Sequence, residues 1–271
     1  MIGRDDAGLD EVLRQLSRRG AGGFEWYKDS CLLRRIEVRM RARGVHSLSG
    51  YAALLGDEPE ELERLLHTLS VRVTGFFRNP DSWLRLRELL EADPVVAERG
   101  ITAWSMGCAT GEESWSLAML LLDLARRASG GAVEGVRVLA SDVDSQALAL
   151  AKAGRYPVSS GAAIREVLPR PYGSLSEGCF EVEPLLRPHV EFRREDLTVL
   201  PSGAVRFDLV CCRNLLIFLG REGQRRVLDA AVHALAPNGI LMLGRTESLV
   251  ALPEAGLVPV DVTHRLYRRL P

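Results

Sequence analysis

Gly107 and Gly111, followed at once by Glu112 and Glu113, form the stretch of this chain best suited to chemistry. An apolar run, Ile101-Thr-Ala-Trp104, enters this turn and an apolar helical pattern leaves it. A strand, glycine turn and helix in that order bring backbone within contact distance of a ligand, because glycine has no Cβ to obstruct it. The paired carboxylates argue against a phosphate in the turn, where phosphate loops use bare N–H groups or Lys. A ligand with hydroxyls and a cationic centre suits them better, and S-adenosylmethionine is such a ligand.

Two further apolar runs end in polar residues that would meet at the same crevice. Val136-Arg-Val-Leu-Ala-Ser-Asp142 ends on a carboxylate, placed where an acid can accept from ribose hydroxyls. Asp144 is the better candidate for a helix cap, which leaves Asp142 for the ligand. Phe207-Asp-Leu-Val-Cys-Cys leads into Arg213-Asn214. Earlier in the chain, Thr74-Gly-Phe-Phe-Arg78 puts a guanidinium directly after two aromatic rings. Its planar fork is able to hold a carboxylate through two parallel hydrogen bonds. The stretch from Cys31 to Arg43 sets five arginines against one glutamate. Its helical pattern predicts a core stripe of Leu33, Ile36 and Met40. Flanking it, Arg34, Arg35, Arg39 and Arg41 would be either a solvated face or a docking surface for an acidic helix.

These residues need elements to position them. Apolar positions at helical spacing predict helices near 9–19, 24–43, 47–55, 58–70 and 80–91, with Ser47, Ser49, Pro59 and Pro80 suited to their first turns. From Ile101 onward strands and helices alternate: strands at 101–106, 136–141, near 190–193, 207–212, 239–243 and near 263–269, and helices at 112–127, 144–153 and 221–235. That alternation implies an α/β class with a parallel sheet, its last two strands antiparallel. The long connection over about 155–190 is read as an inserted β-subdomain, and 128–132 as a short loop. The resulting division is a helical domain over 1–75, a linker and helix over 76–100, and an α/β domain over 101–271.

Composition sets the outer limits. The chain has 271 residues, 46% of them hydrophobic, and a formal net charge of −1. No overall basic field draws it to nucleic acid or to an acidic membrane, and no apolar run is long enough to insert in one. The charged N-terminus does not resemble a signal peptide, and the five cysteines form no C-x-x-C pair, so reduced thiols and a cytoplasmic setting are expected. The five histidines are scattered and predict no metal site.

T-x-F-F-R at 74–78, G-x-x-x-G-E-E at 107–113, S-D-V-D at 141–144, C-R-N-L-L-I-F at 212–218 and L-x-P-N-G-x-L at 235–241 follow one another in this order. Together they resemble the bacterial CheR-type chemotaxis receptor methyltransferases, S-adenosylmethionine-dependent protein-glutamate O-methyltransferases, over about residues 10–269. The resemblance implies a Rossmann-like methyltransferase domain with a small inserted β-subdomain, preceded by an all-helical domain. By position it implies cofactor contacts at Thr74, Arg78, Glu113, Asp142, Asp196, Leu197, Arg213 and Asn214, which join Gly107 of the glycine turn, with Arg78 also orienting the acceptor carboxylate. The implied partner is the cytoplasmic helical region of methyl-accepting receptors, whose glutamates become methyl esters while S-adenosylhomocysteine is left as product. The chain departs from the family at Arg72 (commonly Asn), Ser114 (Pro), Asp196 (Asn) and Phe218 (Tyr); at Phe218 a hydroxyl able to orient the acceptor is lost.

Other classes fit less well. A nicotinamide oxidoreductase would need G-x-G-x-x-G, and the acidic pair would repel its pyrophosphate. A methyltransferase acting on another acceptor and a non-catalytic cofactor-binding scaffold both remain open at this stage.

Overall fold

Apolar residues three and four positions apart fold the beginning of the chain into helices around a shared core. The computed structural model describes residues 6–19, 22–70, 74–93, 100–128, 135–199, 206–249 and 256–271. Helices α1 (Asp6–Arg18), α2 (Asp29–Arg43), α3 (Leu48–Asp57) and α4 (Pro59–Leu69) bury Val12, Leu16, Ile36, Met40, Leu65 and Leu69 against one another. Ser47 caps α3 by accepting from the Gly50 N–H, and Pro59 opens α4, where its missing N–H costs no hydrogen bond. The helix predicted from position 24 starts later. Phe24–Trp26 is a single 3-10 turn, and Tyr27 then runs extended, bridged to Leu219 of the second domain. That bridge takes the backbone out of helical geometry until Asp29.

Helix α5 (Pro80–Glu91) is more than a linker. Its Trp83, Leu86 and Leu90 are buried in the same core as the sheet and the long helix α6 (Glu112–Ala128). Among the described residues the main sheet has seven strands: β1 (Thr102–Met106), β2 (Arg137–Asp142), β6 (Val190–Arg194), β7 (Phe207–Cys212), β8 (Leu235–Leu243), β9 (Leu257–Asp261) and β10 (Leu266–Arg269). Their order is β6-β2-β1-β7-β8-β10-β9, parallel throughout except for β10, which runs antiparallel to both its neighbours. Strand order therefore reverses between β1 and β7, where Trp104 pairs with Leu139 on one side and Val210 on the other. In open sheets of this kind the ligand crevice lies beyond the strand ends at that reversal.

Helices α7 (Ser145–Ala153) and α9 (Arg221–Ala234) complete the cover. Between β2 and β6 the chain forms a separate three-stranded antiparallel sheet of β3 (Arg155–Pro157), β5 (Cys179–Val182) and β4 (Gly173–Ser176), with a one-turn helix α8 (Ile164–Val167). No alternating pattern marks β9, and β10 begins at Leu266 because residues 262–265 are a turn with Arg265 at φ 56. Among the described residues no helix is long and apolar enough to cross a membrane. The loop read at 128–132 lies outside the described residues beyond Ala128.

Candidate cofactor and acceptor cleft

The chain leaves β1 through Gly107, whose φ of 70 favours glycine, and its N–H and that of Cys108 donate to the Ser141 carbonyl at 2.9 and 3.0 Å. This lays the turn across the end of β2. The Asp142 carboxylate then accepts from the Ala109 N–H at 2.8 Å and the Asp144 N–H at 2.9 Å. Asp144 caps α7, accepting from the Gln146 and Ala147 N–H groups as the sequence suggested, while Asp142 lines the cleft. Burial raises the Asp142 carboxyl above its ordinary value, and the two backbone donors oppose that rise.

Gly111 serves a different purpose from Gly107. At φ 93, a Cβ placed there would lie 2.6 Å from the Ala151 methyl and 3.1 Å from the Tyr156 hydroxyl. Its glycine lets α7 and the β-subdomain close on the turn, and of the two glycines only Gly107 lines the cleft. Tyr156 fastens that contact by donating to the Thr110 carbonyl at 2.7 Å.

The acidic pair also divides. Glu112 turns aside to accept from Thr110 Oγ1 at 2.6 Å. Glu113 faces the cleft, accepting from Ser105 Oγ at 3.0 Å and from Arg213 Nη1 at 3.4 Å. Burial raises Glu113, and the Arg213 charge pulls it back. Arg213 also donates through Nη2 to the Arg78 carbonyl at 2.6 Å and lies 5.4 Å from the Trp83 ring centroid. The two phenylalanines before Arg78 are core anchors. Phe76 stands edge-on to Tyr156 and Phe180 at 5.0 and 5.4 Å, and Phe77 packs on Trp83 while its N–H donates to Ser116 Oγ. They fix the loop so that Arg78 reaches the cleft. Phe77, Asn79, Ala109 and Asn214 are all non-glycine residues at positive φ around this space. Such conformations cost about 1–3 kcal/mol each and tend to cluster at ligand sites.

Glu247 is a residue the sequence reading missed. Buried on the loop after β8, it accepts from the backbone N–H of Asn214 at 2.7 Å, Leu216 at 2.7 Å and Gly244 at 2.8 Å. It thereby ties the loops after β7 and β8 together and fixes Asn214 at φ 60. Its only sequence signal is its place just beyond a strand end.

The cleft has two lobes that meet at Gly107, Ala109, Asn214 and Phe218. One takes in Asp142, Asp196 and Leu197 and encloses about 740 Å³ of empty space, part of it open to solvent. Thr74, Arg78, Glu113 and Arg213 line the other, of about 870 Å³. Every residue predicted to touch the cofactor therefore lines one continuous cleft. The helical domain also contributes walls that the sequence did not reveal, including Tyr27, Ser70 and the Gly22-Gly23 backbone. The donor set suits a nucleoside with a charged amino-acid tail: Asp142 and Asp196 stand in one lobe, the Glu113 carboxylate and the guanidiniums of Arg35, Arg78 and Arg213 in the other. Among the described residues no group of three or more His, Cys, Asp or Glu could hold a metal ion.

The four arginines read as one docking face are not one face. The buried stripe of α2 is Leu32, Ile36 and Met40, with Leu33 at its margin, which turns Arg35 and Arg39 inward. Arg39 grips the buried Glu61 through two hydrogen bonds of 2.9 and 2.7 Å, alongside Tyr51 Oη at 2.9 Å. Arg35 donates to the Leu69 carbonyl, lies over the Phe218 ring at 5.3 Å and lines the cleft. Arg34 is exposed, as is Arg41, whose side chain is 72% accessible beside Glu37. Arg72 lies outside the described residues.

Residues 8–70 match the family model described as CheR methyltransferase, all-alpha domain, and residues 72–258 that described as CheR methyltransferase, SAM binding domain. Chemotaxis protein methyltransferase 1 of Pseudomonas aeruginosa is 30% identical over 225 residues, covering 81% of this chain and 82% of that protein. The chemotaxis protein methyltransferase of Klebsiella aerogenes is 28% identical over 253 residues, 90% of this chain and 83% of that one. An uncharacterized 104.1 kDa protein of Rhodobacter capsulatus is 34% identical over 97% of this chain, which spans only 27% of that protein's length.

Proposed function

The chain belongs to the CheR methyltransferase family, and we propose on that footing that it methylates glutamate side chains in the cytoplasmic helical region of methyl-accepting chemotaxis receptors, giving glutamate methyl esters. The cofactor is S-adenosylmethionine, the ligand of the domain spanning 72–258. When bound, it supplies a methyl group on a positively charged sulfur, open to attack by an anionic oxygen.

The residues of the cleft divide the remaining work. Asp142 has lone pairs for ribose hydroxyls while its backbone donors hold it in place. Asp196, itself fixed by Thr198 N–H and Oγ1 at 2.9 and 2.6 Å, accepts from the base. Glu113 accepts from the ammonium of the amino-acid tail, its charge balanced by Arg213 behind it. Arg78 holds the acceptor carboxylate in line with the methyl carbon. No base is required, since a glutamate with a pKa of about 4.3 is already anionic at neutral pH. Positioning and exclusion of water therefore supply the acceleration. Phe218 adds an apolar wall at the junction of the lobes without offering a hydroxyl.

The observation that carries this reading is the convergence of Arg78, Glu113 and Arg213 with Asp142 and Asp196 on one cleft. Its test is transfer of radiolabel from the cofactor to purified receptor cytoplasmic fragments. The label is expected to be released by mild base, as an ester is. R78A should keep S-adenosylhomocysteine binding by calorimetry and lose about 100-fold or more in turnover, the scale of a lost orienting contact. Base-stable or absent label would reject the glutamate acceptor, and undiminished turnover would reject the role of Arg78.

A further inference from the structure

The inserted β-subdomain grips two loops of the cleft through one side chain. Tyr156 of β3 stands opposite Phe180 of β5, and the Phe76 ring meets both of their rings edge-on. At its far end the Tyr156 hydroxyl donates to the Thr110 carbonyl at 2.7 Å. Each contact falls beside a strained residue. Phe76 precedes Phe77 at φ 46, with Arg78 next and Asn79 at φ 62. Thr110 follows Ala109 at φ 48, in the turn that lines the cleft at Gly107, Cys108 and Ala109. Strained backbone of this kind persists only where surrounding contacts over-determine it. Tyr156 supplies such a contact to both loops, and it is firmly held. It is buried, and the turn packs on it so closely that a Cβ at Gly111 would stand 3.1 Å from its hydroxyl. Phe180 is confined too, since a Cβ at Gly173 would collide with its ring.

We propose that Tyr156 is a positioning residue for methyl transfer. Its hydroxyl sets the turn that receives the cofactor, and its ring, through Phe76, sets Arg78. The β-subdomain thereby fixes the spacing between the methyl donor and the acceptor carboxylate. The proposal rests on the function proposed above and adds a residue that lines neither lobe of the cleft.

The test compares Y156F with Y156L in the full chain, reading the S-adenosylhomocysteine Kd by calorimetry and kcat on receptor cytoplasmic fragments at saturating cofactor and receptor. Y156F keeps the ring on Phe76 and loses the hydrogen bond. Its Kd should rise about 3- to 10-fold, the scale of one hydrogen bond, with kcat little changed. Y156L should add a fall in kcat of about 10- to 100-fold with no further rise in Kd, the scale of a misplaced reacting group. F76L removes the same ring contact from the other side and should lower kcat alike at unchanged Kd, which reads this arm where Y156L does not fold. V182A thins the core of the same subdomain beside Gly154, and should lower the melting temperature while leaving kcat unchanged. An unaltered Kd in Y156F, an unaltered kcat in Y156L or F76L, or an equal fall of kcat in V182A would each overturn the proposal. A wild-type chain that transfers no label to the fragments would instead overturn the acceptor reading, and binding by Y156F would still decide whether the hydroxyl sets the turn.

Discussion

Replacing Gly111 by alanine separates the two uses of glycine in the turn after β1. The new methyl would meet the Ala151 Cβ at 2.6 Å, its Cα at 3.0 Å and the Tyr156 hydroxyl at 3.1 Å, on a backbone at φ 93. A left-handed conformation costs a side-chain-bearing residue roughly 1–2 kcal/mol. Overpacking against a helix that can only partly give way adds about 1–3 kcal/mol. Gly178 is the internal control: it has φ 73 and nothing within 4 Å of the same position. G178A carries the backbone cost alone. Urea unfolding should therefore show G111A less stable than G178A by about 1–3 kcal/mol, the overpacking share. Equal stabilities would refute the claim that Gly111 exists to let α7 and Tyr156 close on the turn.

Three further perturbations follow from the buried charges. R39M strips Glu61 of its bidentate partner; with Tyr51 and more distant arginines still nearby, the loss should be about 3 kcal/mol in urea unfolding, against near zero for R41M. A docking role for Arg39 without a structural one predicts no such difference. E247Q keeps the shape but loses the charge that gathers three N–H groups, and should weaken S-adenosylhomocysteine binding about 10-fold by calorimetry through Asn214; unchanged affinity would detach Glu247 from the site. E112Q tests the pH dependence. Burial raises Glu112, so its contribution to stability is full below the unfolded value of about 4.3 and is lost as the pH climbs through the folded one. The variant should thus melt above wild type at pH 7 and converge with it near pH 4; a constant gap would contradict that sign.

What the sequence made legible was local. Strand ends that carry Gly107, Asp142 and Arg213 were readable because each lies directly after its own apolar run, and a parallel sheet brings such ends together by topology. Asp144 could be assigned from cap chemistry alone. Tyr27 and Glu247 were missed because their roles arise from contacts across the fold, Tyr27 with Leu219 and Glu247 with Asn214. The α2 error was one of phase. Taking Leu33 in place of Leu32 beside Ile36 and Met40 turns the centre of the core stripe away from Arg39 by about 30°, which leaves at the flank a side chain that is half-buried against Glu61. Strand β9 gave no alternating pattern, having Pro259 within it.

The junction between the two domains runs through the same peptide that builds the cleft. Lys28 donates its N–H to the Phe218 carbonyl at 2.9 Å and its Nζ to the Ile217 carbonyl at 2.8 Å, while Gly220 donates to Trp26 at 2.7 Å and Arg226 stacks on the Trp26 ring at 4.1 Å. A hybrid made by grafting the helical portion of one relative onto the catalytic portion of another would inherit mismatched halves of this seam. Interchangeable parts in this family would therefore have to be cut so that residues 22–28 travel with their counterparts around 213–226.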